Sequence, residues 1–195
     1  MNPETQLIAY AKQLKAEKLV SIACNKGSLS LRQGTLIYAT PSGLDYDLLQ
    51  EQDISVLRLN GEVQHAMHRI SMDTRFHLAI YQAREDVNAI THTHSRYATA
   101  LALAGLGLPM ITFGVHLQLK QPVQCADFYV PDDPRVNQSI VDNLGQGNAV
   151  LLRNHGAIAV GADIQKAYEN MVFLEETSES YIHALGLGQI NILDL

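Results

Sequence analysis

The sequence predicts an α/β fold, a mostly antiparallel or mixed central sheet flanked by helices. Two observations carry this. Short alternating segments that read as strands outnumber the helical ones, and several are joined by hairpin turns rather than by helical crossovers. A third bears on organisation: the 195 residues contain no Pro/Ser-rich linker, repeat or second compositional block, so one domain over residues 1–195 is expected.

The elements follow in order. Pro3 to Leu19 reads as a helix with Leu7, Ala11 and Leu14 on one stripe. Ser28 to Arg32 and Thr35 to Ala39 read as a hairpin about a tight Gln33-Gly34 turn. The loops beside it, Asn25-Lys26-Gly27 and Thr40-Pro41-Ser42-Gly43, offer N–H groups and hydroxyls to an anion. Asp53 to Leu59 is a strand ended by Asn60-Gly61, and the stretch to Ile70 returns along it or runs on to a helix. Ser71 then reads as an N-cap before Phe76, Ala79, Ile80 and Ala83, with Asp73 in the first turn, where the helix dipole favours a carboxylate.

From Asn88 a strand leads to Ser95, which caps an alanine- and leucine-rich helix ending near Ala104. Strands are expected at Met110–Phe113 and Gln118–Val123, and a helix from Asp133-Pro134 to Leu144, closed by Gly145 and Gly147. Two short apolar strands flank an Asn154-His155-Gly156 turn. A last helix runs from an Asp163 cap to Gly186, with Ile164, Tyr168, Met171, Ser178, Ile182 and Leu185 on one stripe. Glu175 lies among them; it either bonds a histidine ligand or faces solvent.

Composition narrows the function classes. A formal charge of −6 without a basic cluster argues against a nucleic-acid partner. The 47% hydrophobic content hints at surface buried in an oligomer. Cys24 and Cys125 stand alone, which suits packing roles in a reducing cytosol. The amphipathic, charged start has no signal-peptide core, and Gly105, Gly107 and Pro109 interrupt the uncharged run from Tyr97 to Val115, so a cytoplasmic protein without membrane spans is expected.

The chemistry centres on His92 and His94. Two positions apart in a strand, they point to one face, the geometry of two metal ligands. With His155 they would make three neutral imidazoles and an open fourth position, a catalytic zinc site. Spacing does not say that His155 meets the other two. Nor does it separate a catalytic Asp73 from a helix-start carboxylate.

The segments KGSLSLR, TPSG, SMDTRFHLAIYQAR with EDVNAITHTHS, and LLRNHGAIAVG before the long glutamate-bearing helix resemble the class II aldolase/adducin family, in its order and over nearly the whole chain. The resemblance implies a three-layer α/β/α fold with a largely antiparallel sheet, a divalent metal, usually zinc, on His92, His94 and His155, and a homotetramer. It places Asp73 where the aldolases carry an acid/base glutamate, Ser42, Gly43 and Ser71 on the phosphate-binding positions, and Gly27 beside the far end of a sugar-like substrate.

Four departures point to a changed pocket: Ser28 for asparagine, Met72 for a second phosphate-binding serine, Asp73 for glutamate, and Phe113 for a tyrosine near the leaving group. A thioether gives an anion no donor, and a phenyl ring gives no proton. The resemblance thus implies a metal-dependent lyase that makes or breaks a carbon–carbon bond of a hydroxy-carbonyl, sugar-like substrate through an enediolate. Decarboxylation, dehydration or epimerisation at the same metal, and a non-catalytic assembly module, stand as alternatives.

Overall fold

A computed structural model describes residues 1–20, 27–130 and 133–195; Cys24, Asn25 and Lys26 lie outside them. Among the described residues, eight strands form one sheet: β1 (Gly27–Gln33), β2 (Leu36–Ala39), β3 (Ser55–Arg58), β4 (Val63–His65), β5 (Ala89–Thr93), β6 (Cys125–Ala126), β7 (Ala149–Leu152) and β8 (Gly156–Gly161). Their spatial order is β4-β3-β2-β1-β5-β8-β7-β6, and every neighbouring pair is antiparallel except β6 with β7.

The helices are α1 (Pro3–Ala16), α2 (Thr74–Ala83), α3 (Arg96–Ala104), α4 (Arg135–Leu144) and α5 (Ile164–Gly186). Alternation in the strands divides the core in two. Leu29, Ala89, Leu151 and Ala157 face α1, α3 and α5, whose Leu7, Leu14, Leu101, Met171 and Leu174 bury against them. Ile90, Val150, Leu152 and Ile158 face Phe76 and Ile80 of α2 and Val136 and Ile140 of α4. The result is the α/β/α sandwich expected, and no described helix is long and apolar enough to cross a membrane.

Three details differ from the sequence expectation. The first hairpin turns on Gly34 and Thr35, with Gln33 paired to Leu36 and Gly34 at φ +61°. The segment 110–123 is not two strands: Val115–Leu119 forms a short π-helical turn, and Leu108 makes a single bridge to Val123. Val115 and Leu119, four apart, are both fully buried, so the apolar spacing there was helical. Glu175, expected to bond a histidine ligand or to face solvent, is half-buried and finds backbone partners. Its carboxylate accepts the Tyr97 and Ala98 N–H groups at 2.9 Å each, capping α3 from another helix, while the Ser95 hydroxyl makes no cap bond.

On the α2 side, a hydrogen-bonded group of Ser28, Ser30, His77 and Tyr81 interrupts the apolar packing. His77 shares hydrogen bonds with Ser30 Oγ (2.7 Å) and Ser28 Oγ (3.3 Å), and Ser30 Oγ lies 2.8 Å from the Tyr81 hydroxyl. Burial pushes the His77 imidazole down to about 4. The stripe of α2 therefore runs Phe76, His77, Ile80, Tyr81, and Ala83 is exposed.

Replacing Glu175 by alanine is expected to cost about 0.5–2 kcal/mol, the usual loss of a helix cap, read as a lower urea midpoint. His77 gives a pH dependence. Its folded pKa lies below the ordinary histidine value of about 6.5, so its protonation opposes folding: stability is full above pH 6.5 and falls as pH drops toward 4. The expected loss is about 3 kcal/mol across that window, seen in urea titrations and reduced in His77→Gln.

Candidate metal centre

β5 is paired on both sides, with Ser28 opposite His92 across β1 and Ile158 opposite His92 across β8. This double pairing buries His92 completely at the C-terminal end of the strand. His94 follows one residue past the strand end, on the same alternate, just before the α3 start that Glu175 holds. The hairpin from β7 into β8 brings His155 to the same place. Asn154 takes the left-handed conformation (φ +58°), and the His155 N–H bonds the Leu152 carbonyl at 2.9 Å.

Gly156 makes the close approach possible. A Cβ there would fall 2.4 Å from the Thr93 carbonyl oxygen and 3.0 Å from the His94 ring, so no side chain fits between the two strands.

The three rings meet edge to face, with centroids 4.7 to 5.0 Å apart. One nitrogen from each lies within 4.8 Å of the others. His92 donates Nδ1–H to the Ala157 carbonyl at 2.9 Å, which fixes its tautomer and leaves the Nε2 lone pair facing His94 Nε2 at 3.1 Å. Two nitrogens bound tetrahedrally to zinc at 2.0–2.1 Å stand about 3.3 Å apart, so this spacing fits a shared cation. Burial, then the neighbouring His155, His94 and His77, holds the His92 imidazole far below the usual histidine range. The neutral ring is the form that ligates a metal.

Asp73 precedes the first residue of α2 and brings Oδ2 to 3.6 Å from His92 Nε2. Its carboxylate accepts from the Ser71 hydroxyl, and its N–H bonds Ser71 Oγ, both at 3.3 Å; the N-cap position thus belongs to Asp73 rather than to Ser71, which heads the turn before it. A cavity of about 260 Å³ opens beside Asp73 and His155. Phe76, Val136, Ile140 and Leu152 form its apolar wall, and Arg75 and Arg153 also line it.

The other expected site residues are distributed unevenly. An isolated bridge between Pro41 and Ile70 sets the exposed Ser42-Gly43 loop next to Ser71, with Gly43 at φ +76°. Ser28 is buried beneath His92 and bonded to His77, so its hydroxyl is turned into the core. Gly27 is paired with Thr93, where a Cβ would come within 2.8 Å of the His92 carbonyl. Met72 is exposed at the cavity mouth. Phe113 is exposed and stacked on His116, and it is not among the cavity-lining residues. Sequence reading did not single out His77 or Tyr81. The available signal was a histidine and a tyrosine on the apolar stripe of α2, four residues apart.

Comparison with known proteins agrees with this geometry. The model of the Class II Aldolase and Adducin N-terminal domain matches residues 5–182. The chain is 32% identical over 177 residues to the L-fuculose phosphate aldolase of Methanococcus maripaludis, covering 90% of this chain and 93% of that one. It is 29% identical over 188 residues to the 5-deoxy-D-ribulose 1-phosphate aldolase of Bacillus thuringiensis serovar kurstaki, covering 96% and 88%. A solved L-fuculose 1-phosphate aldolase superposes with a TM-score of 0.92 at 29% identity, covering 98% of this chain and 90% of that one. With its sheet order, its histidine cluster and a match over most of its length, the chain belongs to the class II aldolase and adducin N-terminal domain family.

Proposed function

We propose that the chain is a metal-dependent aldolase of the cytoplasm that cleaves or forms a carbon–carbon bond in a phosphorylated, ketose-like sugar. In this reading His92, His94 and His155 hold a divalent ion, zinc by the all-imidazole donor set, and Asp73 moves the proton. The observation that carries it is the convergence of three imidazoles and one carboxylate, two of which, His155 and Asp73, also line a cavity.

When bound, the ion supplies a Lewis acid that polarises a carbonyl and its adjacent hydroxyl. The remaining work falls to the chain. The Nδ1–H of His92, tied to Ala157, keeps one ring nitrogen aimed at the cluster. Asp73 takes the proton from the carbon beside the carbonyl in the synthetic direction and returns it after cleavage. Its Ser71 hydrogen bonds orient the carboxylate for that transfer.

The relatives act, by their names, on sugar 1-phosphates. Here the Ser42-Gly43 loop and Ser71 would meet such a phosphate with fewer donors than a second serine at position 72 would supply, since Met72 has none. Gly27 and Ser28 would then act through the backbone shape of β1 rather than by direct contact. The aldehyde half of the substrate would face the cavity under His155. Exposed Leu103, Leu106, Phe113 and Leu117 support a homotetramer, the subunit number being the family's. Light scattering at micromolar concentration is expected to give four chains, and a monomer would contradict it.

Two substitutions test the chemistry with L-fuculose 1-phosphate as probe. His155→Ala is expected to lose stoichiometric metal by elemental analysis, and turnover with it. Asp73→Asn is expected to keep the metal and lower kcat by about 10²–10⁴. A metal-loaded wild type that turns over no sugar phosphate, or an Asp73→Asn enzyme with normal kcat, would refute the corresponding assignment.

A further inference from the structure

The side chains of the polar chain beneath the histidine cluster have no part in the chemistry described so far. Ser28, Ser30, His77 and Tyr81 are each 1% exposed or less, inside packing otherwise made by Ile37, Phe76, Ile80 and Ile90. Apolar residues of similar size would fill that space without the desolvation cost of four polar groups. What hydrogen bonds add is direction: they are satisfied in one relative placement of helix and strand.

That placement bears on the reacting groups. Ser28 and Ser30 occupy alternate positions on one face of β1, and Ser28 is the register partner of His92. His77 bridges both serines with its two ring nitrogens, and Tyr81, one turn further along α2, reaches Ser30. Asp73 lies one turn before His77 on the same side of the helix, with its carboxylate 3.6 Å from His92. The start of α2 has no side-chain cap of its own. Arg32 ties the other end to β1 through the Tyr81 carbonyl at 3.0 Å. Among the described side-chain hydrogen bonds between α2 and β1, those of His77 lie nearest Asp73.

We propose that His77 is a positioning residue: with Ser28, Ser30 and Tyr81 it locks the rotation and height of α2 on β1, and so sets the approach of the Asp73 carboxylate to the histidine cluster. The proposal rests on Asp73 being the proton-transfer group. Errors of about an ångström in such a group cost rate far more than binding, so the effect belongs in kcat. Burial keeps the ring neutral, so it offers one donor and one acceptor, and the two serine hydroxyls can meet both.

The test is a double-mutant cycle on the metal-loaded protein, with L-fuculose 1-phosphate as probe. His77→Leu is expected to retain metal and lower kcat at least tenfold, with KM changed less than twofold. The same change made in Asp73→Asn is expected to have no further effect on kcat. His77→Gln, which keeps a donor and an acceptor, should recover part of the loss. Should His77→Leu fail to fold, Tyr81→Phe and Ser30→Ala serve instead, with drops of two- to fivefold that vanish in the Asp73→Asn background. Unchanged kcat and pH profile in these variants, whatever their melting temperature, would overturn the proposal, as would an undiminished drop in the Asp73→Asn background. A normal kcat for Asp73→Asn alone would overturn the assignment of Asp73 and this proposal together.

Discussion

The pairing of β5 with β1 on one side and β8 on the other is the constraint from which the rest of the structure follows. It fixes His92 between Ser28 and Ile158, and it lets the β7–β8 hairpin deliver His155 against a ring that is already buried. Antiparallel register admits no partial error here, because a slip of one residue would turn His92 to the α5 face and Thr91 or Thr93 to the α2 face. Gly156 is the local condition for this arrangement, since the strands approach too closely for a Cβ. The sheet therefore does more than scaffold the cluster; its register decides which rings meet.

The two faces of β5 have separate duties. Thr91 and Thr93 bond the Ala167 carbonyl and the Met171 sulfur of α5, and this face is closed core. His92 and His94 look to the α2 side, where Asp73 and the cavity lie. Glu175 joins the faces. It projects from α5 and takes the first N–H groups of α3, so the helix that follows His94 is anchored to the closed side while the histidine serves the open one. A carboxylate at a helix N-terminus is electrostatically favourable, which accounts for its place on an otherwise apolar stripe.

Much of this was legible in the residues. Period-3.6 patterns located α1, α2, α4 and α5, because each buries one face and so repeats its apolar positions, whereas two continuous apolar runs about a turn located the β7–β8 hairpin, whose strands are buried on both faces. Segment 110–123 was misread because a short apolar run has the same composition in a strand and in a helical turn; burial of both Val115 and Leu119 separates them only in three dimensions. The H-x-H pair could be read from strand geometry, whereas the meeting of His155 with it depends on long-range register that local spacing does not encode. Glu175 was recognised as needing a partner, but its partners, the Tyr97 and Ala98 amides, are 78 and 77 residues away. His77 and Tyr81 escaped notice because a single polar residue on a helix stripe is ordinary; their serine partners sit on a different element.

The central claim is that imidazoles from β5 and from the β7–β8 turn share one cation. Anomalous diffraction at the zinc edge from crystals of the zinc-loaded protein tests it directly. The account predicts one strong peak about 2.0–2.1 Å from a ring nitrogen of each of His92, His94 and His155. A peak bound to only two of these rings, or sited elsewhere on the chain, would contradict it.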